Sequence, residues 1–223
     1  MKQYSVTIKG ETPLLMHQDN ISWCEMLKKW QLEPGNKSNT VAGDDRTPPF
    51  TWIGYMYFSF DEKHPALPSD NLMTMLREGG AKCLTGNGKQ TYKALTQAGL
   101  VVDQAEWVLD DPRTGKPYDT AGIMDLVDEE DFATHEAWAK ERGFELFSKR
   151  AAVGTSKHIR VRPRFDFWQA SGSITVLDEK ITKDVLQNIL TFGGAKCGLC
   201  DWRPSSKRAP GSYGRFSVDV KKA

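Results

Sequence analysis

The sequence Ile-Thr-Lys-Asp-Val-Leu-Gln-Asn-Ile-Leu-Thr-Phe-Gly-Gly, residues 181–194, predicts the helix around which the fold is assembled. Thr182 is a typical N-cap residue, and Ile181 can pack against Leu186 as a hydrophobic staple. The two glycines at the end of this stretch predict the end of the helix. Four residues at helical spacing form its apolar face: Val185, Leu186, Ile189 and Leu190.

Strands are predicted on both sides of this helix. After it, apolar and polar residues alternate over 216–220, which predicts a closing strand with one buried face. Before it, residues 159–167 alternate in the same way. Ser-Gly-Ser at 171–173 predicts a turn that leads into a short strand through residues 174–176.

The N-terminal half supplies a second helix between strands. Residues 2–9 alternate as a strand, and Ser69 or Asp70 caps a helix that ends near two glycines at 79–80. Further predicted elements are helices at 21–32, 90–100 and 131–142 and strands at 50–60 and 101–109. The order predicts an α+β fold, a ferredoxin-like (RRM-type) βαββαβ core. We expect one domain over residues 1–223, with insertions at about 18–60 and 101–150.

Bulk composition indicates an ordinary globular chain. The 223 residues are 39% hydrophobic, which suffices for a sizeable core. Apolar runs stay well below the ~18 residues that a membrane-spanning helix requires. The first residues alternate like a strand instead of forming the apolar block of a signal peptide. We therefore expect a cytoplasmic protein.

The four cysteines do not form a recognisable metal site. Cys197 and Cys200 have the spacing of a zinc knuckle, but no second pair of ligands accompanies them. A redox role is disfavoured because the pair follows a helix, whereas a helix start would lower a thiol pKa. We expect no metal and no cofactor.

Charge is distributed unevenly along the chain. Residues 1–140 contain 14 Lys+Arg and 21 Asp+Glu, whereas residues 141–223 contain 16 and 8, although the net charge is only +1. A block of charge is usually a solvated face. Opposite charges on two parts of one chain also suit head-to-tail association of identical copies.

The C-terminal segment 191–218 combines glycines, basic residues and aromatic residues. Glycine has no Cβ, so it lets backbone amides approach an anion closely. Trp202 and Tyr213 are candidates for stacking on unpaired bases, with burial in the core as the alternative. The candidate loop glycines are Gly193, Gly194, Gly198, Gly211 and Gly214. The candidate basic contacts are Lys196, Arg203, Lys207, Arg208 and Arg215.

Three arginines, Arg160, Arg162 and Arg164, alternate along the predicted strand 159–167 and form an arginine ladder. Their side chains would stand about 6.5–7 Å apart on one face, close to the spacing of phosphates in an extended single strand. Residues 149–164 contain no acidic residue, which favours an anionic ligand over a charged edge that resists aggregation. Lys157 and His158 precede the ladder and join the candidate contacts.

No catalytic residue is predicted. The sequence contains no Ser-His-Asp arrangement, P-loop or pair of histidines at metal-binding spacing. His158 is the one candidate general acid or base for RNA cleavage, but a single histidine is more often structural or a phosphate donor.

Three blocks of sequence resemble, in order, motifs of the RAMP superfamily, the repeat-associated proteins of CRISPR systems. Residues 12–17, Thr-Pro-Leu-Leu-Met-His, resemble the segment after its first strand. Residues 66–77, Ala-Leu-Pro-Ser-Asp-Asn-Leu-Met-Thr-Met-Leu-Arg, resemble its helix start. Residues 192–199, with Gly-Arg-Phe at 214–216, resemble its terminal glycine-rich loop.

The resemblance implies RNA binding by the glycine-rich loop and the sheet face, with thumb-like insertions. It implies either a backbone subunit along a guide RNA, in antiviral defence, or a guide-RNA-processing endoribonuclease. Asp70 departs from the helix-start motif, and residues 201–210 lengthen the loop. These departures favour a divergent, phage-encoded relative that binds RNA or single-stranded DNA.

Together these observations predict a non-catalytic protein that binds single-stranded nucleic acid, and they favour RNA over DNA as its ligand. It would assemble along the strand with copies of itself, as a filament or a multi-subunit ribonucleoprotein. The alternatives are the endoribonuclease, a phage single-stranded-DNA-binding protein, and a scaffold whose charge serves assembly alone.

Overall fold

The computed structural model describes residues 1–34, 49–153, 156–207 and 210–223. The side chains of residue 49 and of residues 150–158 also lie outside this description. The chain divides into two compact units. The first unit contains residues 1–15, 58–119 and 166–223, and the second contains residues 16–57 and 120–165.

Strands and helices are interspersed along the chain. They are β1 (Lys2–Gly10), β2 (Leu14–Leu15), α1 (Ile21–Leu32), β3 (Ala66–Pro68), α2 (Ser69–Gly80), α3 (Lys93–Gly99), β4 (Leu100–Val102), β5 (Glu106–Asp111), β6 (Lys116–Pro117), α4 (Phe132–Glu141), β7 (Glu145–Val153), β8 (Ser156–Phe165), β9 (Gln169–Val176), α5 (Lys183–Phe192) and β10 (Phe216–Lys222). Short 3₁₀ helices span Pro49–Tyr55 and Ile123–Leu126, and a π-helical turn spans Gly193–Cys197.

An antiparallel sheet forms the centre of the first unit. Strand β1 lies between β10 and β9, with Ile8 opposite Val218 on one side and opposite Ala170 on the other. Strands β4 and β5 both pair with the far edge of β9. Strand β3 then pairs with β5. The predicted α+β class is confirmed by this arrangement of antiparallel strands and helices.

The core of the first unit follows the predicted apolar periodicity. Strand β1 buries Tyr4, Val6 and Ile8, while the residues between them face outward. Helix α5 begins at the Thr182 cap, whose hydroxyl accepts from the amide of Val185 at 3.3 Å. Helices α2 and α5 contribute further buried side chains: Leu72, Met75, Leu76, Leu186, Ile189 and Leu190.

The predicted turn at 171–173 is wrong, because these residues lie within β9. Gly172 faces Trp107, and a Cβ on Gly172 would lie 2.1 Å from the indole Nε1. Glycine is therefore present to let a buried ring approach the strand, not to make a turn. Phe167, predicted inside a strand, lies beyond the end of β8 and is 49% exposed, with the Arg113 guanidinium over its ring.

The predicted strand at 50–60 is also wrong, because residues 49–55 form a 3₁₀ helix. Trp52, Ile53 and Met56 are fully buried, and their spacing fits a helix as well as an aromatic strand. Trp52 donates its Nε1–H to Nδ1 of His135 at 3.0 Å. The other nitrogen of His135 lies 3.0 Å from the carbonyl of Glu129, so this buried histidine is a structural member of the second unit.

Strands β7 and β8 form an antiparallel hairpin, and its second strand carries the arginine ladder. The second segment of the second unit begins at residue 120, later than the insertion expected from residue 101. The reason is that β4, β5 and β6, at 100–117, belong to the sheet of the first unit.

Candidate nucleic-acid interface

The α-helix ends at Phe192, just before Gly193 and Gly194 as predicted, but these glycines do not take a left-handed cap conformation and instead allow close packing. Both belong to the π-helical turn that continues α5, and the first left-handed residue is Gly198, with φ of +72°. A Cβ on Gly193 would lie 2.2 Å from the sulfur of Met75. A Cβ on Gly194 would lie 2.1 Å from the carbonyl oxygen of Phe216. Larger residues would push α5 away from α2 and β10.

The later glycines use their amides within the protein. Gly198 donates to the carbonyl of Gly193 and Gly214 donates to that of Pro13, both at 2.8 Å. The amide of Gly211 donates to the backbone carbonyl of Arg203 at 3.3 Å. The geometry therefore differs from the expected cradle of glycine amides around an anion. These glycines shape the loop through hydrogen bonds within the protein.

The three sequence blocks that carry the resemblance meet in the first unit. The hydroxyl of Thr12 accepts from the amide of Arg215 at 3.0 Å, and the carbonyl of Leu15 accepts from Asp201 at 2.9 Å. From the helix block, Glu78 accepts a hydrogen bond from the hydroxyl of Ser205 at 2.6 Å. The loop is thus held by both the first strand's exit and α2.

Two of the predicted loop arginines hold the loop together. The Arg203 guanidinium donates to the Ser205 hydroxyl at 3.0 Å and to the Cys200 carbonyl at 3.2 Å, and it lies 3.6 Å from Glu78. The Arg215 guanidinium donates to the carbonyl of Ala195.

The predicted loop lysines have a different environment. Lys196 and Lys207 are exposed, which leaves their ammonium groups accessible to a ligand. Arg208 lies outside the described residues.

Trp202 and Tyr213 lie against each other, with ring centroids 6.2 Å apart and planes inclined at 45°. Both side chains are partly exposed. Trp202 has φ of +46° and Cys200 has φ of +60°, a conformation that is unusual for residues other than glycine. Such backbone strain concentrates at functional sites, where the surrounding structure holds it in place.

The arginine ladder is not an open row of cations. Arg162 is only 4% exposed, and Arg164 pairs with Glu145 of the neighbouring strand at 2.5 Å. Residues 149–164 contain no acid, but Glu145 from outside this range neutralises Arg164, which weakens the argument for an anionic ligand there. Arg160 donates to the hydroxyl of Tyr55 and lies partly exposed. The side chains of Lys157 and His158 lie outside the described residues.

The ladder does not adjoin the closing strand of the sheet. Strand β8 belongs to the second unit, and β10 pairs with β1. The strand predicted at 159–167 is therefore not part of the sheet that contains the closing strand, although the sequence order predicted both in one core.

The outward face of the first unit's sheet is rich in hydroxyl groups. The outward positions of its central strands are Ser5, Thr7, Lys9, Ser171, Ser173, Thr175, Ser217, Asp219 and Lys221. The Thr7 and Ser171 hydroxyls lie 2.9 Å apart, and Lys221 pairs with Asp219 at 2.9 Å. RRM-type sheets stack bases on aromatic side chains, and these positions carry none. These outward positions therefore lack the aromatic stacking platform of an RRM-type sheet.

The cysteine pair is buried and electrostatically unfavourable for a thiolate. Burial, with a smaller contribution from Glu78, raises the pKa of Cys197 to about 11. Burial also raises the pKa of Cys200 to about 12. A thiol protonated at neutral pH is a poor nucleophile and a poor metal ligand. Within the described ranges, no three His, Cys, Asp or Glu side chains are grouped closely enough to hold a metal ion.

Sequence reasoning missed the partners that hold these arginines. Glu78 lies in α2, more than a hundred residues before the loop, and Glu145 belongs to a strand that was not predicted. Tyr55 belongs to the segment that was predicted as a strand. A local pattern carries no signal for such pairings, because they are created by the fold.

The comparisons with known proteins add no relative. No protein-family model matches the chain, and no curated protein matches it. In the part of the chain that the structure describes, every helix is too short or too polar to span a bilayer.

Proposed function

We propose that this protein binds single-stranded nucleic acid through the surface of its glycine-rich loop. In this proposal the protein binds the strand and does not catalyse a reaction on it. The observation that carries the proposal is the strained, partly exposed Trp202 beside Tyr213, in a loop that also presents Lys196 and Lys207. An aromatic pair and exposed cations on the same loop suit a base and its phosphate, and such binding requires no particular nucleotide sequence.

We further propose a ferredoxin-like core and a relationship to the RAMP superfamily. Two features support the core. Strand β1 leads through α2 to β4 and β5, and β9 lies between β1 and these strands. Helix α5 then leads to β10 on the other side of β1, as in a split βαβ arrangement. The relationship is supported by the meeting of the three resembling blocks around one loop.

The resemblance also favours RNA as the ligand. It further favours an assembly in which several copies of the protein bind along one strand. The unequal charge of the two parts of the sequence supports head-to-tail contacts between copies.

The double variant Lys196→Glu/Lys207→Glu tests the proposed surface. We expect it to bind a single-stranded oligonucleotide at least about tenfold more weakly and to lower the steepness of the log–log salt dependence by about 1.4, because two phosphate contacts are lost. Fluorescence anisotropy with a labelled RNA of mixed sequence measures both quantities.

The matched control is Lys116→Glu/Lys180→Glu, which changes the net charge equally at two exposed positions outside the loop. It should keep most of the wild-type affinity. Equal weakening by both double variants would show that only net charge matters, and the loop would then be excluded as the binding surface.

A further inference from the structure

The second unit contains a cavity of about 400 Å³ that the proposed function does not use. This volume lies within the range of small-molecule sites. Helix α1 forms one wall, the 3₁₀ helix Pro49–Tyr55 forms another, and Arg160 reaches the cavity from β8. Helix α1 buries none of its residues fully, so its inner side borders this space instead of a filled core.

Aromatic side chains surround the cavity. Trp23 lies 5.9 Å from Phe50 between ring centroids, and Tyr55 makes an edge contact with His17 at 4.5 Å. Gly54 allows the indole to lie close to the backbone, because a Cβ there would be 2.6 Å from Cγ of Trp23. The indole is partly exposed, so one of its surfaces remains available to a planar ligand.

Polar groups are placed at the same cavity. Arg160 is anchored by the hydroxyl of Tyr55, a contact that uses one of its five N–H donors. Its planar guanidinium is suited to a phosphate. Lys28 adds a second cation to the lining, and Gln18 and Gln31 add amide groups that can pair with the edge of a base.

We propose that this cavity binds one nucleotide, with the base stacked on Trp23 and the phosphate held by Arg160. Aromatic stacking and hydrogen bonds to the base edge are the usual means of holding a base outside a stack. A purely apolar ligand would leave the arginine and amide groups unsatisfied, and a bare phosphate would leave the rings unused. The nucleotide can come from a bound strand or be free in solution, and the chemistry of the site is the same.

Calorimetric titration with AMP and with a short oligoadenylate tests this proposal and separates the two sources. We expect the wild-type protein to bind at least one of these probes with a dissociation constant below about 1 mM. Adenosine and ribose 5-phosphate, which lack the phosphate and the base respectively, should bind more weakly than AMP. Arg160→Ala and Trp23→Ala should each weaken nucleotide binding at least tenfold.

The control is Arg142→Ala. Arg142 belongs to the same unit, but it stacks on Trp138 and does not line the cavity. This variant should keep the wild-type affinity, and circular dichroism checks that each variant is folded. Weakening of AMP binding identifies a site for free nucleotides, and weakening of oligoadenylate binding alone identifies a nucleotide of a strand. Unchanged affinity of both probes in folded Arg160→Ala and Trp23→Ala overturns the proposal.

This result can be separated from the fate of the proposed loop surface. If AMP binding depends on Arg160 and no strand binds, the nucleotide site in the cavity is supported and the proposed function of the loop is excluded. In the opposite case, AMP does not bind, and strand binding depends on Lys196 and Lys207 but is unaffected by substitution in the cavity. This result supports the proposed function of the loop and excludes the nucleotide site in the cavity.

Discussion

Gly214→Ala is expected to lower the free energy of unfolding by roughly 2–5 kcal/mol. Gly214 has φ of +70°, and its added Cβ would lie 2.1 Å from the carbonyl oxygen of Leu199. Backbone atoms cannot move aside as a flexible side chain can, so the loop must shift. The same shift would strain the hydrogen bond from Gly214 to Pro13. Denaturant unfolding followed by fluorescence measures the loss.

Gly115→Ala is the matched control for this substitution. Gly115 has φ of +68°, and nothing lies within 4 Å of its would-be Cβ. It therefore carries the conformational penalty alone, which is about 1–2 kcal/mol for an L-residue. Equal losses for the two variants would mean that the close contact at Leu199 does not exist, and the packing described for the loop would be incorrect.

Trp168→Ala is expected to cost about 3–5 kcal/mol, because it empties a large buried site. Trp168 is fully buried, makes an edge contact with Phe216 at 6.2 Å and donates its Nε1–H to the carbonyl of Thr12 at 2.8 Å. It thereby joins the entry to β9, the exit of β1 and the start of β10. Thermal unfolding should show a large fall in the midpoint.

Two further variants separate the sources of this loss. Trp168→Phe keeps an aromatic ring and loses the hydrogen bond, so it should cost less than half as much as the alanine variant. Phe60→Ala removes an aromatic side chain that is 98% exposed and should change stability by no more than about 0.5 kcal/mol. A small effect of Trp168→Ala, comparable to that of Phe60→Ala, would contradict the central position assigned to this indole.

The elements with a clear apolar period were predictable from the sequence. Residues 2–9, 69–80 and 183–192 each bury one regular face, so periodicity alone identified a strand and two helices. Residues 50–56 were not predictable, because a continuous aromatic run suits a strand and a buried helix equally. Gly172 was misinterpreted because glycine marks turns and also marks places where a distant ring packs on a strand.

The candidate site was predictable in part. Glycines in the terminal loop were expected, but their role was different, because the fold brings Met75, Phe216 and Leu199 against them. The roles of the arginines depend on partners distant in sequence. Ser205, which accepts from Arg203, is 127 residues from Glu78, and no local pattern joins them. Lys196 is exposed whereas Arg203 is partly buried, and the sequence alone does not indicate which of two basic residues is accessible to a ligand.

The salt dependence of binding to a single strand tests the central claim most directly. Binding of a labelled RNA and of the corresponding single-stranded DNA is measured between about 50 and 200 mM salt. The account predicts log–log slopes between about −2 and −3.5, which correspond to roughly three to five neutralised phosphates. A flat salt response, or no binding of either strand at the lowest salt concentration, would contradict it.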